Sequence, residues 1–444
     1  MNRRMLVHDR GVAAAGFPIR PADRSWDPLL IAVAAYLLTA VGRVHQLFAF
    51  LTPLHLALVA AALGIGLLLW DTSRVRRVGP TIALPTTRLI LGLTLWIALS
   101  IPGALWSGQA FDQFVNFVKT VAMYFVIVSA VRGMRDIERL AGVYFIAAAI
   151  YSAVVLTRFQ VTEESWRLAS LYYYDANDFA TFAVSALPIG LYFVFRPGAR
   201  IRRLGATACV GVLGVAIVRS GSRGGFLALL TTILYLLFCY KALRPHWRVL
   251  AVAILAVVFF AVASDRYWEQ MRTITSPGQD YNSTAEAGRL NIWKRGLGYM
   301  FGHPLAGVGA GNFPAAEGTL SPLASRAEIG RGVRWSAAHN SFVQAGAELG
   351  IPGLVLLVAV IAAAFRALYS EQVGQLGATN REKRSPLAQS LTAALVGFTV
   401  GAFFLSFAYS DLLYTLVALA AAVRKVTHPR RLALPPWPLR RATA

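Results

Sequence analysis

Apolar residues in this chain come in long unbroken runs, not in the alternation of half-buried strands or the three-to-four rhythm of surface helices. Twelve segments stand out, near 29–42, 53–70, 87–105, 111–131, 137–157, 177–195, 203–219, 224–241, 247–264, 341–367, 386–408 and 410–424. A bilayer core of roughly 30 Å needs about 20 mostly apolar helical residues per crossing. The pattern therefore predicts an all-α polytopic membrane protein with about 12 transmembrane helices. The first segment is short, and the last is short enough to be re-entrant. One long polar connection, 265–340, separates the ninth segment from the tenth. Residues 1–28 hold no apolar core followed by a small-residue cleavage site, so the first span is expected to serve as its own insertion signal.

Composition agrees with the pattern. Of 444 residues, 57% are apolar and only 14% charged, with a mean hydropathy of +0.55. An average soluble domain is about a quarter charged, so a water-soluble enzyme is excluded. The formal charge of +22 would by itself suggest nucleic acid, but its distribution suggests otherwise. With twelve spans, 29 Lys and Arg fall on the side holding both termini and 13 on the other, eight of those in 265–340. Positive residues mark the cytoplasmic side. The expected layout is a cytoplasmic segment 1–28, transmembrane helices 1–9 over 29–264, a periplasmic loop 265–340, transmembrane helices 10–12 over 341–424 and a cytoplasmic tail 425–444. The net charge is then +21 inside and zero outside, and a nucleic-acid partner loses its support. Cys209 and Cys239 both lie in apolar runs and close no extramembrane loop.

The long loop carries turn chemistry around one helical stretch, Arg289 to Phe301. Leu290, Trp293, Leu297 and Met300/Phe301 form an apolar face there, suited either to the membrane surface or to packing on the bundle. No P-loop, H-E-x-x-H or Cys/His metal spacing occurs, so no cofactor and no metal site are expected. Gly307-x-Gly309-x-Gly311 follows no strand and reads as a turn.

Five places could carry chemistry. His339, in Ala338-His339-Asn340-Ser341, precedes a long apolar helix that Asn340 or Ser341 can cap. The positive end of that helix disfavours imidazolium and leaves a ring able to accept a proton; an interfacial structural histidine is the alternative. Arg219-Ser220-Gly221-Ser222-Arg223-Gly224-Gly225 is a tight outer hairpin with two arginines on the side that otherwise avoids them. Arg223 opens the next span, where free N–H groups favour an anion, and guanidinium binds phosphate through paired hydrogen bonds; an arginine that snorkels or pairs with an outer carboxylate is the alternative. Arg289 opens the loop helix in the same way. In Tyr172-Tyr173-Tyr174-Asp175-Ala176-Asn177-Asp178, the acids suit helix capping and the tyrosines an interfacial belt; the functional alternative is a sugar-binding patch that includes Asp178. Lys119 is an ionisable group inside a span, with Asn116 one turn away as a possible polar partner.

Together these residues resemble the bacterial O-antigen ligase and polymerase superfamily. The resemblance rests on Ser222-Arg223-Gly224-Gly225, on Gly288-Arg289, on the run Gly302-His303-Pro304 through Gly311-Asn312-Phe313, and on His339-Asn340 followed after nine residues by Gly350-x-x-Gly353. The last pattern is the one associated with O-antigen ligases proper. The resemblance implies a metal-independent glycosyltransferase in the bacterial inner membrane, its site facing the periplasm. The donor would be an undecaprenyl-diphosphate-linked glycan, the acceptor lipid A–core. It further implies His339 as general base and Arg223 and Arg289 as catalytic arginines on the diphosphate; the residues themselves add Arg219, Asn340, Asp178 and Lys119 as candidate substrate contacts. An O-antigen polymerase or protein O-oligosaccharyltransferase with the same donor is the alternative; a lipid-linked-sugar flippase would favour repeat halves, which the chain lacks.

Overall fold

The computed structural model describes residues 25–158, 168, 170–171, 174–241, 243–276, 278, 280–324, 335–374 and 385–428. Tyr172, Tyr173, most of the predicted N-terminal segment and the tail beyond 428 lie outside the described residues. The order begins with α1 (Pro28–Tyr36), prolonged by a π turn at Leu37–Val41. Then come α2 (Leu56–Trp70), α3 (Arg74–Ala83), α4 (Pro85–Ser100), α5 (Ser107–Ala130) and α6 (Met134–Arg158). A two-residue hairpin, β1 (Ser170–Leu171) with β2 (Tyr174–Asp175), leads into α7 (Ala176–Phe195), α8 (Arg200–Arg219), α9 (Arg223–Phe238) and α10 (Pro245–Val262). Four short helices occupy the long connection: α11 (Asp265–Arg272), α12 (Tyr281–Thr284), α13 (Arg289–Gly302) and α14 (Phe313–Thr319). The chain returns through α15 (Ser341–Gly374), α16 (Pro386–Ala402) and α17 (Asp411–Thr427).

The chain is an all-α polytopic membrane protein, and helix occupies the centre of each of the twelve apolar segments. The expected count of twelve full spans is not reached. Among the described residues seven helices are long and apolar enough to cross a membrane, or eight if α3 and α4, bent by 75°, form one span. Pro28–Val41, Arg223–Phe238 and Pro386–Ala402 are apolar but only 10–17 residues long. Apolarity runs past the helix ends: the π turn after α1 stops at Gly42 and Arg43, the latter at φ 53°, and α16 gives way after Ala402 to turns that run to Ser410. A 17-residue helix covers only ~25 Å at 1.5 Å per residue.

Two helices form the centre. Every residue of α17 from Leu412 to Val423 is buried, as is α7 from Phe179 to Gly190; a helix apolar on all sides belongs in the middle of a bundle. Small residues let neighbours approach these cores closely. A Cβ on Gly225 would lie 2.6 Å from Ala180 of α7, and one on Gly401 of α16 would lie 2.4 Å from Thr181 Oγ1. At the periphery α2 and α10 expose Leu58, Leu63, Leu69, Val249, Ile254 and Phe260, the surface that hydrocarbon covers.

One break in a long helix sets the geometry of the outer end. Gly350, at φ 69° and ψ −171°, interrupts α15. The glycine run of the preceding loop takes up the backbone groups this frees: Val308 N–H donates to Ala347 O, Gly309 N–H to Glu348 O, and Ile351 N–H to Pro304 O. Trp96 Nε1–H donates to Leu349 O at 2.9 Å. The Glu348 side chain, 1% exposed, accepts from Gly311 N, Phe313 N and Tyr409 Oη. The two backbones interlock so tightly that a Cβ on Gly350 would lie 2.2 Å from Leu305 O, and one on Gly307 2.3 Å from Glu348 C. The Gly307–Gly311 run is the turn its sequence suggests; Gly307, Gly309 and Gly311 all hold positive φ, and Gly307 is also required by this contact.

Candidate active site

Three helix N-termini from distant parts of the sequence converge at one end of the bundle. Asp175 caps α7, accepting from Asn177 N at 2.7 Å and Asp178 N at 2.8 Å. Asn177 Oδ1 then accepts the Ser222 hydroxyl at 2.8 Å, and the same Ser222 oxygen accepts Gly225 N–H at 3.0 Å to cap α9. Ser222 is thus a cap whose proton is spent on α7, which fixes Arg223 at the first position of α9. Arg289 takes the equivalent position on α13, after Gly288, and its guanidinium acts electrostatically on Asp178.

Arg223 and Arg289, 66 positions apart in sequence, line the same cavity of about 240 Å³. Leu227, Leu290, Trp293 and Phe404 supply its apolar wall, and Thr273, Asp280 and Asn282 its polar one. Nη1 of Arg223 donates to Thr273 Oγ1 at 2.6 Å and pairs with Asp280 Oδ2 at 2.8 Å. Burial alone would raise the Asp280 carboxyl, but the Asn282 N–H and the Arg223 guanidinium outweigh it and hold it below its ordinary range. Two guanidinium groups facing one carboxylate leave the lining with an excess of positive charge, at the ends of two helices whose dipoles add to it.

His339 stands beside this cavity, outside its lining. It is half-buried, holds φ at +48°, and its N–H donates to Ser406 Oγ at 2.9 Å. Its neighbour Ala338 accepts Trp293 Nε1–H at 3.0 Å, and Trp293 packs edge-on against Phe403 at 5.4 Å between centroids. The cavity wall therefore holds the histidine segment on both sides. Of the two possible caps for α15, Asn340 is the one used, through Phe342 N at 2.9 Å and Val343 N at 3.1 Å. Ser341 instead ties Leu405 O and Phe407 N. Asn340 is 1% exposed, so its side chain acts on the helix that carries His339.

Of the candidates only Arg223 and Arg289 line the cavity; Asp178 and Asn340 lie outside its lining, and so do Lys119 and Arg219. Lys119 sits on the exposed side of α5, and its Nζ donates to Asn116 at 3.1 Å. Arg219 ends α8 exposed, with its carbonyl accepting Leu168 N–H. Thr273, Asp280, Asn282, Trp293 and Phe404 join the site without having been singled out as its members. Trp293 carries a visible signal, as the one aromatic early on the apolar face of the loop helix; Thr273, Asp280 and Phe404 lie between helices, and Asn282 sits on the four-residue α12, too short to show a period. That helix splits its apolar residues: Ile292, Gly296, Tyr299 and Met300 are buried, while Leu290, Leu297 and Phe301 are exposed, so it packs on the bundle with one side and offers the other outward. Among the described residues no three His, Cys, Asp or Glu side chains gather in a group that could hold a metal.

Fold and site together define a multi-pass helical membrane protein with a cationic cavity at one end of its bundle. Residues 207–358 match the family model described as O-antigen ligase, which supports a protein of that family. The match runs from α8 into α15 and takes in Arg219, Arg223, Arg289, His339 and Asn340, leaving Lys119 and Asp178 before it. Members of this family are glycosyl-transferring ligases and polymerases, which places the chain among glycosyl-transfer enzymes in general. No curated protein matches the chain.

Proposed function

We propose that this protein is an O-antigen ligase that moves an oligo- or polysaccharide from undecaprenyl diphosphate to a hydroxyl of lipid A–core at the periplasmic face of the bacterial inner membrane. The observation that carries the reading is the meeting of Arg223 and Arg289 in one cavity beside His339. In the reaction the anomeric C–O bond to the diphosphate breaks, and a new C–O bond forms to the acceptor oxygen. The acceptor proton passes to His339, and the glycosidic electron pair leaves with the diphosphate. Charge growing on that leaving group is met by guanidinium groups and helix N-termini already in place, so no metal is required. The acceptor hydroxyl is a weak nucleophile near neutral pH, and a positioned imidazole accelerates its attack typically ~10²–10⁴-fold. Attack from the face opposite the diphosphate inverts the anomeric centre. Asp178, within the field of Arg289, and Asn340, as the cap behind His339, serve as positioning residues.

The experiment is ligation in vitro with purified protein, a polyisoprenyl-diphosphate glycan and lipid A–core, without ATP and with EDTA. Ligated lipopolysaccharide supports the reading. Product only on a growing glycan or on protein Ser/Thr would instead assign the chain to polymerases or protein glycosyltransferases. A strict requirement for a divalent metal would overturn the role given to the arginines.

A further inference from the structure

A second cavity, of about 280 Å³, lies at the end of the bundle opposite Arg223, between α7, α8, α9 and α10. Leu191, Phe195, Val210, Leu236 and Leu255 are among its apolar walls, and Arg248 closes one side. The cavity exists because α10 packs loosely at the periphery while α8 presents glycine: a Cβ on Gly211 would meet nothing within 4 Å. An apolar void of this size stays dry and forfeits dispersion contacts unless a chain fills it. In a bilayer the available filler is hydrocarbon.

The rim says which hydrocarbon. Arg248 Nη1 donates to Leu237 O at 2.7 Å, but its Nε is covered and has no hydrogen-bond partner among the described residues. Residues 196–263 contain no Asp or Glu, whereas Arg196, Arg200, Arg202, Arg203, Lys241, Arg244 and Arg248 all fall at this end of α7–α10. One carboxylate from elsewhere, Glu138, answers Arg196. A guanidinium lining a greasy groove, at an end of the bundle rich in cations and poor in carboxylates, fits a phosphodiester with an acyl chain beneath it, because basic pockets between helices at the membrane surface hold anionic head groups. We infer that the cavity between α7, α8, α9 and α10 binds an anionic phospholipid, its phosphate on Arg248 and one acyl chain along α8. A polyisoprenyl tail reaching down from the opposite site would fill the walls but leave the arginine unanswered. The inference is independent of the reaction proposed above.

The test uses full-length protein in phosphatidylcholine nanodiscs doped with phosphatidylglycerol that carries a photoactivatable diazirine in its acyl chain. Crosslinks should map to α8 and α10 near Gly211 and Leu255, and unlabelled phosphatidylglycerol should suppress them about tenfold better than phosphatidylcholine. Gly211→Trp should abolish this labelling by filling the groove. Arg248→Gln, which leaves the walls intact, should remove the preference for phosphatidylglycerol, and Arg248→Lys should retain part of it; these two keep the test decisive if Gly211→Trp misassembles. Equal labelling by a phosphatidylcholine probe, labelling unchanged by both Gly211→Trp and Arg248→Gln, or suppression by undecaprenyl phosphate but not by phosphatidylglycerol would each overturn the proposal.

Discussion

His339 occupies a backbone conformation that costs a residue with a side chain of order 1 kcal/mol. The structure sustains it by giving its N–H to Ser406 and capping the next helix with Asn340. Such strain at a candidate base suggests that position is being favoured over stability. His339→Gly should therefore leave the thermal midpoint equal or higher while ligation falls by ~10²-fold or more; retained turnover in that variant would remove His339 from the chemistry. Ser406→Ala should lower kcat by loosening the same segment, with a smaller effect on KM. Asp280 acts in the opposite sense to the arginines. Asp280→Asn adds one unit of positive charge to the cavity, and KM for the diphosphate donor should fall roughly threefold to tenfold at low salt. The folded carboxyl lies below its ordinary value of 3.8. Its contribution to stability is thus full above the unfolded value and is lost as pH falls through the lowered folded one. The Arg223–Asp280 pair should persist through mildly acidic pH and open only in stronger acid, as followed by proteolysis of the 265–340 connection.

At the level of elements, the interlock between the glycine run and the break in α15 is the most sensitive joint. Gly350→Ala places a methyl group 2.2 Å from Leu305 O at a positive φ, and should reduce folded protein recovered in detergent severalfold, whereas Gly298→Ala, where a Cβ meets nothing within 4 Å, should be tolerated. Asn340→Ala removes a cap worth about 0.5–2 kcal/mol and should lower both stability and activity. Much of this was legible in the sequence. Long apolar runs mark helices whatever packs against them, and Asp175 and Asn340 announce caps by residue type. Arg223 and Arg289 were recognisable because arginine on the poorly charged side of a membrane protein is costly. Asp280, Asn282 and Thr273 were not, because residues between helices or on a four-residue helix carry no period, and their relevance depends on a cavity that forms only when α9 and α13 meet. Lys119 and Arg219 looked equivalent to the other cations for the converse reason: sequence gives depth along a span, but not the side of the helix a residue faces.

For the whole molecule, the charge distribution gives an orientation that can be tested. If the basic segments lie in the cytoplasm, a membrane-impermeant thiol reagent added to intact cells should label a cysteine placed at Leu290 in a Cys209→Ser, Cys239→Ser background. The exposed Cys239, retained as the single cysteine, should react only after permeabilisation. The reverse pattern would invert the topology and move the proposed chemistry to the wrong face for lipid A–core.

The interlock also constrains how the protein is made. Chains emerge from the ribosome at roughly 5–20 residues per second, and Arg223 and Arg289 are synthesised well before the segment that completes their cavity. The glycine run at 307–311 has no carbonyls to engage until residues 347–351 arrive, Phe404 closes the cavity wall later, and Ser406 anchors His339 later still. For several seconds, then, the nascent protein holds its cationic groups without the assembled wall or the held histidine. It cannot transfer sugar until almost its last helix has been inserted, so prematurely terminated chains should be inert and not aberrant ligases.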